Sequence, residues 1–225
     1  MFPQKEKTMD DTQLQLLMDF HRHATRQGPG GEAETRRAME LAGLDRSRPL
    51  KIADIGCGTG ASTILLASEL DAEITAVDFM PEFLDELVSR ARGYGVMDRI
   101  TTLNGSMDGL PFVAEEFDVI WSEGAIYNMG FEAGVSAWSH FLKPGGKLIV
   151  SEITWLSNNR PPDLQTYWDA SYPEIDVASA KIGILERHGQ SEQARALVAE
   201  EKREIALYEK HSACYSYGVY IAKKC

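Results

Sequence analysis

The sequence predicts an α/β fold: a Rossmann-like doubly wound sheet, mostly parallel with an antiparallel C-terminal strand, plus N-terminal helices. Short apolar strands alternate with helical segments from Lys51 onward, which is the pattern of parallel strands joined by crossovers. A glycine-rich turn links the first of those strands to its helix. The chain closes on SYGVYIA, whose aromatic and β-branched residues suit a strand.

Taken in order, residues 11–26 place Leu14, Leu17, Met18 and His21 at helical spacing behind an acidic start. Gly28-Pro29-Gly30-Gly31 breaks that helix, and a second over residues 33–42 stops at Gly43, a C-terminal cap glycine. Residues 51–55 read as the first strand and 62–70 as its helix. Residues 73–77 form the second strand, and 81–92 a helix with proline in its first turn. Further strands are expected over 99–103, 117–121 and 147–151, a helix over 132–142, and the last strand over 216–222. Lys143-Pro144-Gly145-Gly146 reads as the turn into the fifth strand. Between Gly189 and Tyr208 the residues are strongly helical, with no strand alternation.

Composition bounds the rest. A chain of 225 residues, 44% hydrophobic and 25% charged, suits a single globular domain. We divide it into an N-terminal helical lid (1–44), a core (51–152), and helices plus the final strand (153–225). No apolar run approaches the roughly 18 residues that span a membrane. The first residues lack the basic and apolar regions of a secretory signal. Cys57, Cys214 and Cys225 show no CxxC spacing, which points to a reducing, cytoplasmic setting and to no zinc or disulfide framework. A net charge of −11 repels polyanions, and no Lys/Arg cluster offsets it, so nucleic acid is not expected as a partner. Either a monomer or a homodimer suits the acidic surface.

The first chemical signal is IADIGCGTGAST. Gly56, Gly58 and Gly60, with Cys57 among them, follow a strand and open a helix, where the glycines' missing Cβ atoms let a ligand lie against backbone N–H groups. With Ala61 in the last slot the run also fits a relaxed dinucleotide fingerprint. Asp78 ends the second strand 22 residues after Gly56, where a carboxylate can accept from both ribose hydroxyls. Two features separate the readings. Asp54, just before the glycines, would repel a pyrophosphate and welcome an α-ammonium group. FLKPGGKLIVSE supplies a second glycine turn at the fifth strand.

In IADIGCGTG, AVDFMPEF, GSMDGLPF, FDVIWS and LKPGG, taken in that order, the chain resembles class I S-adenosylmethionine-dependent methyltransferases over about residues 51–152. More narrowly, RQGPGGEAETRRA, WSEGAIYNMGFEAG and SYPEI resemble a small bacterial subgroup. The resemblance implies S-adenosyl-L-methionine as cofactor, S-adenosyl-L-homocysteine as product and a small-molecule acceptor. Asp54, Gly56, Gly58 and Gly60 would hold the methionine end, Asp54 through water to the ammonium. Asp78 would bind the ribose, with Phe79 and Met80 beside the adenine. Members often carry Asp after the glycine of GSMD. Here Ser106 stands there, so Ser106, the Met107 backbone and Asp108 would share the adenine contact. Ser122 and Glu123 would lie near the reactive methyl, and Gln27 and Gly28 would close over the cofactor. The same subgroup places a strand after Gly189, so a segment is expected to be missing there.

Methyl transfer needs alignment and exclusion of water, and a base only where the nucleophile must lose a proton. Glu123 is the first candidate, to orient an amine or accept a proton, or to hydrogen-bond the cofactor or a backbone N–H. Tyr127 and Asn128 could donate to a substrate oxygen or cap a helix. Glu152 and Trp155 could wall the pocket, and Tyr167, Trp168 and Tyr172 form either an aromatic lining or packed core. His21 and His23 sit on the N-terminal helix as lid candidates or plain packed residues. No Asp/Asn-Pro-Pro-aromatic motif, Pro-Cys pair or clustered metal ligand follows the fourth strand, so base methylation, cytosine C5 chemistry and a metal are not expected. Binding of the cofactor without methyl transfer, aminopropyl transfer from a decarboxylated analogue, and nicotinamide chemistry stand as alternatives.

Overall fold

The computed structural model describes residues 24–188 and 215–224. Most of the expected N-terminal helix, His21, His23, Gly189 and the helical reading beyond it lie outside the described residues. Residues 24–26, the end of that helix in the sequence reading, are non-helical.

The described chain builds a seven-stranded sheet: β1 (Leu50–Ile55), β2 (Ala72–Asp78), β3 (Ile100–Asn104), β4 (Phe117–Glu123), β5 (Leu142–Trp155), β6 (Asp176–Val177) and β7 (Tyr215–Lys223). Its order is β3-β2-β1-β4-β5-β6, with β7 paired to β5, and only the β5–β7 pairing is antiparallel. Helices α1 (Glu32–Leu41), α2 (Ala61–Glu69), α3 (Pro81–Tyr94), α4 (Phe131–Ser139), α5 (Pro162–Ser171) and α6 (Ala178–Arg187) complete it. The expected α/β architecture is therefore present, including the antiparallel last strand.

Strand alternation sorts the core into two layers. Ile52, Ile74, Val119, Trp121 and Ile149 face α1, α2 and α3, meeting Met39, Leu66 and Leu87. Ala53, Ile55, Ile120, Leu148 and Val150 face α4 and α6, meeting Phe131, Trp138 and Leu185. A third, smaller cluster around Trp155, Tyr172 and Ile175 covers the far end of β5. Gly43 caps α1 as expected, at φ +53°.

Two boundaries differ from the sequence reading. The helix expected over 132–142 ends at Ser139, because Leu142 pairs with Phe117 and so belongs to β5. The fifth strand is much longer than 147–151. Lys143-Pro144-Gly145-Gly146 bulges within it, and the β4 register jumps from Phe117↔Leu142 to Val119↔Lys147. A Cβ on Gly146 would stand 2.9 Å from the Lys143 carbonyl oxygen, so this bulge needs glycine.

β5 meets β7 along residues 147–155 on one edge, while its other edge pairs with β4 only up to Ser151. A strand has two edges, so β6, paired at Thr154 and Trp155, continues the β4 side just past the end of β4. That short strand brings α5, α6 and Tyr172 beside the carboxyl ends of the central strands, the edge at which open α/β sheets bind ligands.

Candidate cofactor cleft and acceptor wall

A cleft of ≈ 820 Å³ opens where β1, β2 and β4 end. Its floor is the glycine turn. Gly56 and Cys57 donate their N–H groups to the Val77 carbonyl at 2.9 and 3.0 Å, tying the turn to β2. Gly56 sits at φ +76°, and a Cβ there would lie 2.3 Å from that of Ala125. Backbone of the β1 turn and the segment after β4 therefore approach as only glycine allows. Gly60 serves differently: its missing Cβ makes room for Leu87 of α3, away from the cleft.

Asp78 reaches back over the turn. Its Oδ2 accepts from Gly58 N at 2.8 Å and its Oδ1 from Met80 N at 2.9 Å. Burial pushes its pKa up against those N–H groups. The Phe79 N–H also bonds this carboxylate, and three donors still leave it acceptor capacity for a ligand. Exposed Phe79, with Met80, Phe83, Ser106, Met107 and Asp108, extends the wall beyond the acid. The Met107 carbonyl accepts from the Trp138 indole at 3.1 Å, which anchors that loop to α4.

Asp54 is fully buried and does not line the cleft among the described residues. Its Oδ2 accepts from Ser62 Oγ at 2.8 Å and Thr63 Oγ1 at 2.6 Å, while its Oδ1 has no partner among the described residues. Burial raises its pKa to about 7. Ser62, bonded to Asp54, itself lines the cleft, so the acid is connected to the cleft through that hydroxyl. Ser122 is likewise turned inward: its hydroxyl donates to the Ile55 carbonyl at 2.8 Å and locks β4 to β1.

Glu123 lines the cleft but is crowded. Oε1 accepts from Trp121 Nε1 and Thr35 Oγ1, both at 2.9 Å, and Oε2 forms an ion pair with the Arg26 guanidinium. This carboxylate thus joins β4, α1 and the segment before α1. The same segment is fastened at Gln27, whose Oε1 accepts from Thr59 N at 3.0 Å and Thr59 Oγ1 at 3.1 Å. Gln27 and Gly28 both line the cleft, with Arg26 beside them.

Tyr127 and Asn128 follow β4 in a 3₁₀ turn and line the cleft. Asn128 Nδ2 donates to the Ala125 carbonyl at 3.1 Å, the capping alternative. Tyr127 is 41% exposed, and its ring meets the edge of Tyr172, whose burial among the third cluster makes it core rather than lining. Tyr167 is exposed, while Trp168 packs against that cluster.

Behind this wall lies a charged pair. Glu152 and Lys181 are 0% and 1% exposed and 3.4 Å apart. Lys181 Nζ also donates to the Glu174 carbonyl at 2.8 Å and sits 4.6 Å from the centre of the Phe131 ring. Burial raises the Glu152 pKa and lowers that of Lys181. Glu152 therefore supports the wall from inside instead of forming its surface.

Arg26 and Lys181 escaped the sequence reading. Arg26 directly precedes the QGPG loop, and Lys181 shares the buried face of α6 with Ile182 and Leu185. A cation on an apolar helical face was the available signal for the second.

Residues 52–146 match the family model described as a methyltransferase domain. The chain is 30% identical over 141 residues to the malonyl-[acyl-carrier protein] O-methyltransferase of Herminiimonas arsenicoxydans, covering 62% of this chain and 51% of that protein. It spans about half the length of the curated relatives it matches. Among solved structures, YjhP from E. coli superposes with a TM-score of 0.74 at 16% identity, covering 94% of this chain and 100% of that one. Geranyl diphosphate C-methyltransferase from Streptomyces coelicolor A3(2), in complex with S-adenosyl-L-homocysteine, gives 0.66 at 17% identity, covering 86% and 76%. The central segment of the chain thus matches the methyltransferase-domain family, and its fold is that of these solved structures.

Proposed function

We propose that the protein transfers a methyl group from S-adenosyl-L-methionine to a small-molecule acceptor. The observation that carries this reading is Asp78 poised over the Gly56–Gly58 turn, with spare acceptor capacity facing a cleft that a Cβ at Gly56 would disrupt.

The residues present suit an adenosine with an amino-acid arm. Asp78 would take the ribose hydroxyls, and Phe79, Met80, Ser106, Met107 and Asp108 would flank the base. Ser62, whose hydroxyl donates to buried Asp54, keeps its oxygen lone pairs and would accept from an ammonium group. The bound sulfonium would supply the activated methyl group. Tyr127 and Asn128 would orient the acceptor and exclude water. Glu123 would fasten Arg26 and α1 beside the reacting centre, because its carboxylate already bonds Arg26, Thr35 and Trp121. The acidic net charge of −11 supports a metabolite over nucleic acid as substrate. Cysteine usage supports a cytoplasmic location, and no helix among the described residues is long and apolar enough to cross a membrane.

Calorimetric titration with S-adenosylmethionine, S-adenosylhomocysteine and NAD tests the reading. The first two should bind, and Asp78→Ala should abolish both. Binding of NAD alone would replace methyl transfer with nicotinamide chemistry.

A further inference from the structure

We propose that Arg26 receives the carboxylate of the cofactor's amino-acid end, so that this cleft selects nucleosides that carry that carboxylate over those that lack it. The inference rests on the methyltransferase reading and deepens it.

Three carboxylates, Asp78, Asp108 and Glu123, line the cleft, and an anionic ligand group entering there needs a cation. Arg26 is the one cationic residue among the described residues of the lining. It is held by Glu123 at the end of β4 and directly precedes Gln27, which is bonded to Thr59 of the glycine turn, so the guanidinium belongs to the same segment that crosses that turn. Its side chain is 14% exposed, so its charge acts in a partly desolvated setting.

The guanidinium is placed before any ligand arrives. Nη1 is paired to Glu123, and Nη2 donates to Thr35 Oγ1 at 2.8 Å. Its planar fork has five N–H donors, so these bonds leave donors for a further carboxylate. The backbone on either side is fastened too. The Thr25 carbonyl accepts from Arg90 Nη1 at 3.0 Å, and Gln27 is held by Thr59. Glu123 accepts from Trp121, Thr35 and Arg26 at once, which fixes it in place and makes it a positioning residue for Arg26.

The test compares S-adenosylhomocysteine with 5′-methylthioadenosine, which keeps the nucleoside and lacks the amino-acid arm. Calorimetry on the full chain should show Arg26→Met weakening the first ligand by about tenfold or more while leaving the second within about twofold. Arg26→Lys should recover part of the loss, since it keeps the charge without the fork. In Arg26→Met/Glu123→Gln the selective loss should persist, because it comes from the missing cation and not from an unmasked carboxylate. Equal loss for both ligands, in the Met and Lys variants alike, would make Arg26 a mere strut of the segment. No loss for S-adenosylhomocysteine would leave its carboxylate to the N-terminal amides of α2, and recovery in the double variant would reduce Arg26 to a mask for Glu123. Each of these outcomes overturns the assignment. A wild-type chain that binds neither nucleoside would instead overturn the methyltransferase reading beneath it.

Discussion

The two ends of the cleft are built from different materials. At the end formed by β1 and β2, the polar groups that matter are held by nearby backbone: Asp78 by Gly58 and Met80, and the turn itself by the Val77 carbonyl. At the end formed by β4, β5 and β6, side chains distant in sequence hold one another. Lys181 reaches Glu152 across 29 positions, and Arg26 reaches Glu123 across 97. The first kind of site is a local property of a strand–turn–helix unit. The second exists only when several elements are packed, and it places charge in the interior, where a lost partner is costly.

The sharpest way to break this comparison is Lys181→Ala. Removing one member of a buried pair typically costs about 3–5 kcal/mol, and urea unfolding at pH 8 should show a loss of that order. Lowering the pH should soften it, because the stranded Glu152, already raised in pKa by burial, takes up a proton. S-adenosylhomocysteine affinity of the folded variant should stay within about twofold of wild type, since neither Lys181 nor Glu152 lines the cleft. A parallel collapse of that affinity would show the ends to be one unit.

Asp54 gives the next effect. Its folded pKa of about 7 exceeds the ordinary value of 3.8, so the folded state binds the extra proton. The stability from that proton is complete below the ordinary value and is lost as pH rises through about 7. Asp54→Asn removes the titration while keeping an acceptor for Ser62 and Thr63. The variant should gain on wild type by up to roughly 4 kcal/mol between pH 4 and pH 8. Parallel stability profiles for the two proteins would show that Asp54 is not held protonated.

Asp78 sharpens the contrast from the ligand side. Burial raises its pKa, so cofactor affinity should fall on acidification sooner than an ordinary aspartate would dictate. Asp78→Asn should cost about 2 kcal/mol of affinity at pH 8 and abolish that acid limb. A surviving limb in titrations of the variant would assign it to another group. The smallest effect is expected at Thr35→Val, which deletes one of the donors on Glu123. Stability should fall by about 1 kcal/mol, with a shift in the emission of buried Trp121, whose indole shares that carboxylate. Unchanged emission would uncouple α1 from the end of β4.

Legibility in the sequence follows the same division. Gly56, Gly58 and Asp78 were readable because a tight turn and an acid at a strand end are consequences of short-range backbone geometry. Asp54 was singled out as an acid, but its burial was not visible, since that depends on how α2 lies on β1. Ser122 and Gly60 were read toward the cleft and instead lock strands or admit Leu87. Leu142 was drawn into a helix because its apolar character suits either element, and only the pairing with Phe117 decides.

The sequence by itself determined the alternation of strands and helices, the turn that opens the cleft and the acid beside it. Each depends on periodicity, glycine φ angles or residues adjacent in the chain. Tertiary structure alone decided that Glu123 bonds Arg26, Thr35 and Trp121, that Arg26 is the cation of the cleft among the described residues, and that Lys181 balances Glu152. Partners so far apart along the chain meet only after the sheet has assembled, and burial then sets both their energies and their charge states.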